Sequence, residues 1–160
     1  MAEFPALNRA DFDALDAALA ALLKKSEATV ALLVEKAGYL IHQCGDPGGL
    51  DATTFATLGA NAFNAVQFMA SLLEEPNFTS LHQQGEHTST LMLNVNESLL
   101  LVVVFPNRLT LGAVKYYAVP AARTVAAQLQ QAAERGAASL DLSLLDPKDV
   151  RDVFARNPTP

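Results

Sequence analysis

The chain has 160 residues, a formal net charge of −6, and 18% charged against 51% hydrophobic residues. Its 11 basic residues are scattered, which argues against a nucleic-acid partner because binding to phosphates requires clustered Lys and Arg. The single cysteine, Cys44, excludes an internal disulfide, and no signal-peptide pattern opens the chain, so we expect a cytoplasmic protein.

The first part of the chain predicts a helix followed by a β-hairpin. Asn8 is placed to cap a helix over about residues 9–25, and Lys24 and Lys25 lie at its end, where they suit the helix dipole. Residues 29–35 and 39–43 have the composition of strands. Gly38 lies between them and is free to adopt the positive φ of a tight turn.

The most unusual stretch comprises residues 51–74, which have helical periodicity but no charged residue between their ends. Asp51 is placed to cap this helix. Seven Thr, Asn, Gln and Ser side chains argue against a membrane span. The far side carries amides and Phe68 where a surface helix normally carries Lys and Glu; either another chain covers it or its own domain does. We expect the following residues to form the core face: Phe55, Leu58, Gly59, Ala62, Val66, Met69, Ala70 and Leu73.

The second half of the chain predicts three strands and a third helix. The strands cover about residues 78–86, 87–95 and 98–105, and the last is a continuous apolar run, as expected of a central strand. The helix covers about residues 110–135, with Pro120 on its outer side and Gly136 placed to stop it. The strands therefore make one sheet, with helices on both of its faces.

The C-terminal region is distinct from the domain that we assign to residues 1–136. Residues 137–160 form a linker and a short helix, because Asp146 and Pro147 make a typical helix start. Val150 and Phe154 share one side of that helix. The segment either docks into a groove of a partner or packs on its own domain.

The sequence predicts no catalytic residue, no cofactor and no metal. His42 and Cys44 share one side of a strand but lack further ligands near them in sequence. The loop at residues 45–49 lacks the ending of a phosphate-binding loop. A ligand-sensing domain would need convergent polar groups, which the sequence does not show. Asn61, Asn64 and Gln67 form the one unusual polar group, suited to a partner-covered surface or simply to a solvated face.

Several segments resemble the roadblock/dynein light-chain superfamily and, within it, the MglB family of bacterial polarity proteins. These segments are ALLVEKAG at 31–38, ATLGANA at 56–62, LLEE at 72–75 with Phe78, QGE at 84–86, LLLVVVF at 99–105 and LGAVK at 111–115. The resemblance implies a roadblock-type α-ββ-α-βββ-α sandwich, an α+β fold with a five-stranded, mainly antiparallel sheet. It also implies a homodimer joined through the third strand and the central helix.

The resemblance further implies that the chain is not itself an enzyme and does not insert into membranes. MglB-like proteins bind a small Ras-like GTPase, MglA, and stimulate GTP hydrolysis by rearranging its switch regions, in cell polarity or motility. A roadblock scaffold subunit without GTPase-activating activity is the alternative. The expected GTPase-binding residues are Thr57, Ala60, Asn61, Asn64, Gln67, Phe68, Val150 and Phe154. The expected dimer-interface residues are Phe63, Phe78, Leu81, His82 and Gln84.

Overall fold

A computed structural model of the chain describes residues 4–139 and contains the predicted order of three helices and five strands in that range. The short C-terminal helix predicted from Asp146 onward lies outside the described residues. The elements are α1 (Arg9–Ser26), β1 (Val30–Glu35), β2 (Leu40–Gly45), α2 (Ala52–Leu72), β3 (Ser80–Gln84), β4 (Thr88–Asn94), β5 (Leu99–Pro106) and α3 (Leu111–Ser139).

The five strands form one sheet in the order β2-β1-β5-β4-β3, and every neighbouring pair is antiparallel. Strand β5 lies in the middle, and its residues 99–103 are buried. This confirms that the apolar run is a central strand, covered on both faces. Strands β2 and β3 form the two edges.

Helices α1 and α3 cover one face of the sheet. Asn8 caps α1 as predicted, because its side chain accepts the Asp11 N–H at 3.0 Å while the Asp11 carboxylate accepts the Asn8 N–H at 2.8 Å. Large aliphatic side chains from both helices and the sheet fill the space between them. The members from the helices include Leu15, Leu19, Leu22, Val114, Ala118, Val125 and Leu129.

A buried carboxylate joins the two helices on this face. Asp11 has no exposed surface and accepts hydrogen bonds from Gln128 Nε2, at 2.8 Å, and from the Arg135 guanidinium. The bond from Arg135, followed by that from the Asn8 N–H, lowers the pKa of Asp11 to about 2. This contact holds the last turns of α3 against the start of α1.

The predicted end of α3 at Gly136 is wrong, because the helix continues to Ser139. Gly136 does not take the positive φ that a helix-stopping glycine adopts. Arg135, just before it, is anchored to Asp11, so the helix is held in register as far as this point.

Helix α2 covers the other face of the sheet with a smaller core. Val30, Leu32, Leu100 and Val102 of the sheet pack there against buried residues of α2. The β1–β2 turn lies beside this helix, and Gly38 has φ of +103° in it, as the sequence predicted.

Candidate interaction surface

Helix α2 begins at a carboxylate cap and carries no charged residue of its own. The side chain of Asp51 accepts hydrogen bonds from the Thr54 N–H at 3.2 Å and from the Thr54 hydroxyl at 2.6 Å. These bonds lower the pKa of Asp51, so the cap is anionic at neutral pH beside the positive end of the helix dipole. The predicted cap is confirmed, and the helix surface beyond it is neutral.

The side of α2 that faces the sheet consists mainly of small residues. Gly59 and Ala60 are buried, and a Cβ at Gly59 would lie 3.3 Å from Met92 Cε of β4. Phe63 is the large exception: its ring is fully buried and packs against Phe78, with centroids 4.9 Å apart. The small residues let the helix approach the sheet closely, and Phe63 fills the remaining space.

The predicted core face of this helix is therefore wrong over much of its length. Leu58, Met69 and Leu73 are 61%, 61% and 81% exposed. The periodicity of large apolar residues placed them in the core, whereas the helix contacts the sheet through small residues, which such periodicity does not reveal. Of the eight large hydrophobic side chains exposed within residues 4–139, five lie on α2 or at its end.

A second side of α2 is bound to the turn between β1 and β2. Thr57 Oγ1 donates to the Gly38 carbonyl at 3.0 Å, and Asn64 Nδ2 donates to the Lys36 carbonyl at 2.9 Å. Lys36 Nζ lies 5.7 Å from the centroid of the Phe63 ring, and partial burial lowers the pKa of this lysine. Thr57 and Asn64 thus hold the turn in place from the surface of the helix.

The outermost surface of α2 is apolar around Phe68 and Leu72, which are 68% and 70% exposed. Asn61 is exposed two turns before Phe68. Sequence reasoning identified Asn61 and Phe68 but missed Leu72. The signal was present, because a residue four positions after Phe68 lies next to it on the same side of a helix.

Strand β3 forms the sheet edge on the far side from the β1–β2 turn. Asn94 N–H donates to Thr79 O, and Gly85 N–H donates to Thr88 O. Because hydrogen bonds alternate along an antiparallel pair, the backbone groups of residues 80, 82 and 84 point away from β4. Among the described residues no strand pairs with this edge, so it is open to another strand.

The side chains of β3 alternate between the two faces of the sheet. Leu81 lies opposite Met92 and packs on the α2 side, whereas His82 lies on the side of α1 and α3. The His82 ring stacks on Phe105 with a centroid distance of 6.2 Å and an interplanar angle of 12°. Beside the open edge, β3 side chains therefore contact the domain on both faces of the sheet.

Residues 15–105 match the family model of the Roadblock/LC7 domain. The chain belongs to the Roadblock/LC7 family. The matched range contains α2, strands β1 to β4 and all but the last residue of β5, and therefore includes both the outer surface of α2 and the open edge of β3.

Three solved structures of MglB proteins are similar to this roadblock chain. One, described as MglB with a tetrameric arrangement, is 29% identical over 82% of this chain and 99% of its own, with a TM-score of 0.76. The gliding protein MglB from Thermus thermophilus is 28% identical over 82% and 99% of the two chains, with a TM-score of 0.75. Myxococcus xanthus MglB is 29% identical over 79% and 96%, with a TM-score of 0.74. No curated protein sequence matches the chain.

The roadblock domain places the predicted GTPase-binding residues in different settings. Asn61 and Phe68 are exposed, Gln67 is half-buried, and Thr57 and Asn64 are exposed but bound to the β1–β2 turn. Ala60 is a correction: it is fully buried against the sheet and offers no surface to a partner. Two further predicted residues, Val150 and Phe154, lie outside the described residues.

The predicted dimer-interface residues need one correction as well. Phe63 is fully buried between α2 and the sheet, so another chain has no access to its side chain. Phe78 and Leu81 are half-buried, and His82 and Gln84 are exposed. These four residues, Phe78, Leu81, His82 and Gln84, lie on β3 or just before it, beside the open edge.

His42 and Cys44, the side chains considered above as metal ligands, lie among other residues of the domain. His42 Nε2 lies 3.0 Å from Asp16 Oδ1, and partial burial raises the pKa of the Cys44 thiol. Within residues 4–139, no group of three or more His, Cys, Asp and Glu is placed to hold a metal ion. No helix in that part of the chain is long and apolar enough to cross a membrane.

Proposed function

We propose that the protein is a homodimeric, non-enzymatic regulator that binds a small Ras-like GTPase of the MglA type in the cytoplasm. It stimulates GTP hydrolysis by reorganising the switch regions of that GTPase, in the control of cell polarity or motility. The observation that carries this proposal is the neutral, apolar outer surface of α2 beside an unpaired sheet edge. Membership of the Roadblock/LC7 family and the similarity to MglB structures support it.

The proposed dimer pairs two β3 strands antiparallel about a two-fold axis. Pairing through the outward backbone groups puts Ser80 next to the partner subunit's Gln84 and His82 opposite its own copy. The side of α2 that carries Leu58, Met69 and Leu73 faces away from the β1–β2 turn and therefore toward this edge. Pairing of the edges would thus also bring these exposed side chains near their copies and bury them.

The proposed GTPase site is the outermost surface of α2, which two helices lying side by side would double in area. A GTPase hydrolyses GTP by positioning water and stabilising charge, so a partner assists by binding the competent switch conformation more tightly than the other. Such a partner needs a shaped surface and no catalytic side chain. Phe68 and Leu72 supply its apolar centre, and Asn61 supplies amide hydrogen-bonding groups.

The dimer is tested by His82→Pro, because the N–H that proline removes points away from β4 and is not needed within one chain. We expect His82→Pro to be a monomer by light scattering and His82→Ala to remain a dimer. Gln83→Pro is the matched control: it removes a bond to β4 and should destabilise the fold itself. A folded His82→Pro protein that is still dimeric would exclude β3 as the interface.

The activity is tested by GTP turnover of a cognate MglA-type GTPase with and without the protein. We expect binding of the GTP-loaded form and faster turnover. Binding without faster turnover would favour the scaffold function, which membership of the Roadblock/LC7 family equally supports. An absence of binding at any nucleotide state would refute the proposed partner.

A further inference from the structure

The loop between β3 and β4 is exposed, and Asn107 holds it in one conformation. Glu86 and His87 form the tip of the loop, which the hydrogen bond from Gly85 N–H to Thr88 O closes at 3.0 Å. Asn107 Nδ2 donates to the carbonyls of Gly85 and Glu86 at 2.7 and 3.0 Å. The Asn107 N–H donates to the His87 carbonyl at 2.9 Å. The charged tip is therefore preorganised for binding, because little conformational entropy remains to be lost.

A hollow of about 350 Å³ lies beside α3 near the other end of β3. Its walls are α3, the end of β4 and Thr79, which directly precedes β3. Lys115 and Arg123 line it about 12 Å apart along the helix, and no acidic residue of the described range lines it. Neither cation has an ion pair within residues 4–139; Lys115 Nζ donates to the Ser80 hydroxyl at 3.3 Å. The hollow therefore carries positive charge without a counter-charge.

The loop and the hollow are far apart within one chain. Glu86 lies six residues after Ser80. At the rise of a strand, about 3.4 Å per residue, the two residues are about 20 Å apart along β3. The side chain of Glu86 is too short to span that distance to Lys115 of its own chain.

A second copy of the chain removes this separation. Two β3 strands that pair antiparallel bring the end of each strand to the beginning of the other. The register proposed above for the dimer places Thr79 next to the partner subunit's Gly85 and Phe78 next to the partner subunit's Glu86. The loop of one subunit then lies at the mouth of the hollow of the other.

We propose that the β3–β4 loop of each subunit occupies this hollow in the other, where Lys115 and Arg123 pair with the partner subunit's Glu86. The contact rests on the β3-paired dimer proposed above and adds a second surface to it. The two-fold axis forms the contact twice, because each subunit supplies both the loop and the hollow.

The contact makes the stability of the dimer depend on ionic strength. Hydrogen bonds between the two β3 backbones join neutral groups, which salt screens little. A carboxylate between two cations at the rim of an interface is screened as the salt concentration rises. The dimer should therefore weaken in salt to the extent that the loop contributes to it.

Charge exchange between subunits tests the proposal, with the dimer dissociation constant measured by analytical ultracentrifugation. Glu86→Lys places a cation against two others and should raise this constant about ten-fold. Arg123→Glu should raise it as well. The two substitutions in one chain should return it to within about two-fold of the native value. Glu134→Lys is the matched control, because it makes the same change in charge on α3 outside the hollow and should leave the constant unchanged.

A milder variant, Glu86→Gln, provides a second readout. The dissociation constant of the native dimer should rise as NaCl is added, and the rise should be smaller for Glu86→Gln because one partner of the ion pair is neutral. Circular dichroism of each variant verifies that the fold is kept. An identical dependence on salt in the two proteins would contradict the contact.

The outcomes separate this contact from the dimer itself. A native chain that is monomeric would refute both. A native dimer that His82→Pro dissociates, but that Glu86→Lys and Arg123→Glu leave unchanged, would keep the pairing of β3 and exclude the loop contact. Losses in both single variants that the combination does not restore would also exclude it, because the two residues would then act separately.

Discussion

The two faces of the sheet are built differently. On the α1 and α3 face, large aliphatic residues are buried and a carboxylate, Asp11, joins the two helices through Gln128 and Arg135. On the α2 face, the helix meets the sheet through small residues around Phe63 and turns its large apolar side chains outward. On the first face most large apolar side chains of the helices are buried, whereas on the second most are exposed, and soluble monomers seldom show so much apolar surface.

This difference separates residues that stabilise the fold from residues that are free to bind a partner. A leucine on α1 contributes to the stability of one chain, and a leucine on the outside of α2 contributes little until something covers it. Substitutions that look alike in the sequence should therefore have unlike effects on the two faces.

The largest effect that we expect is from Leu19→Ala. Leu19 is fully buried between α1 and the sheet, so its truncation leaves a cavity and costs about 2–5 kcal/mol of unfolding free energy. Leu72→Ala on the exposed side of α2 should change the unfolding free energy by less than about 0.5 kcal/mol. Urea unfolding at low protein concentration measures both, and equal losses would contradict the comparison.

A smaller effect, on binding and not on folding, is expected from Phe68→Ala. Exposed aromatic residues at the centre of an interface commonly contribute about 2 kcal/mol, so the affinity for the GTPase should fall about thirty-fold while the dimer persists. Tyr116→Ala is the control, because Tyr116 is similarly exposed but lies on the α3 side. Unchanged affinity in a titration of Phe68→Ala would remove α2 from the proposed site.

A milder effect, confined to one range of pH, is expected from Asp11→Asn. The folded state lowers the pKa of Asp11 to about 2, against about 3.9 in the unfolded chain. Because the folded value is the lower one, the carboxylate stabilises the fold above about pH 4 and loses this effect as the pH falls through about 2.

Urea unfolding across pH measures this contribution. The difference in unfolding free energy between the native chain and Asp11→Asn should be constant near neutral pH and shrink in acid. Asp13→Asn, which removes an exposed carboxylate from the same helix, is the control variant. A difference that persists at low pH would assign the effect to packing and not to charge.

The features that the sequence predicted well depend on local structure. The caps at Asn8 and Asp51, the turn at Gly38 and the apolar run of β5 each follow from a few neighbouring residues. The orientation of α2 does not, because it depends on how closely Gly59 and Ala60 approach a sheet made from distant segments. Periodicity therefore predicted wrongly that Leu58 and Leu73 are buried and that Ala60 is exposed, and it predicted no role for Leu72.

The end of α3 and the unpaired backbone groups of β3 could not be predicted from neighbouring residues for a similar reason. Gly136 has the residue type of a helix stop, but Arg135 is fixed by Asp11 from the other end of the chain. Which backbone groups of β3 remain unpaired follows from its register with β4, which no property of residues 80–84 alone determines.

The absence of ionic side chains from α2 also affects how fast a partner arrives. Long-range Coulomb forces speed association only where charges of opposite sign face each other, and they weaken as salt screens them. This helix itself therefore contributes little to electrostatic steering, and a dependence of the association rate on ionic strength should come from charges elsewhere on the chain. Discrimination between partners would then rest on how long each complex lasts.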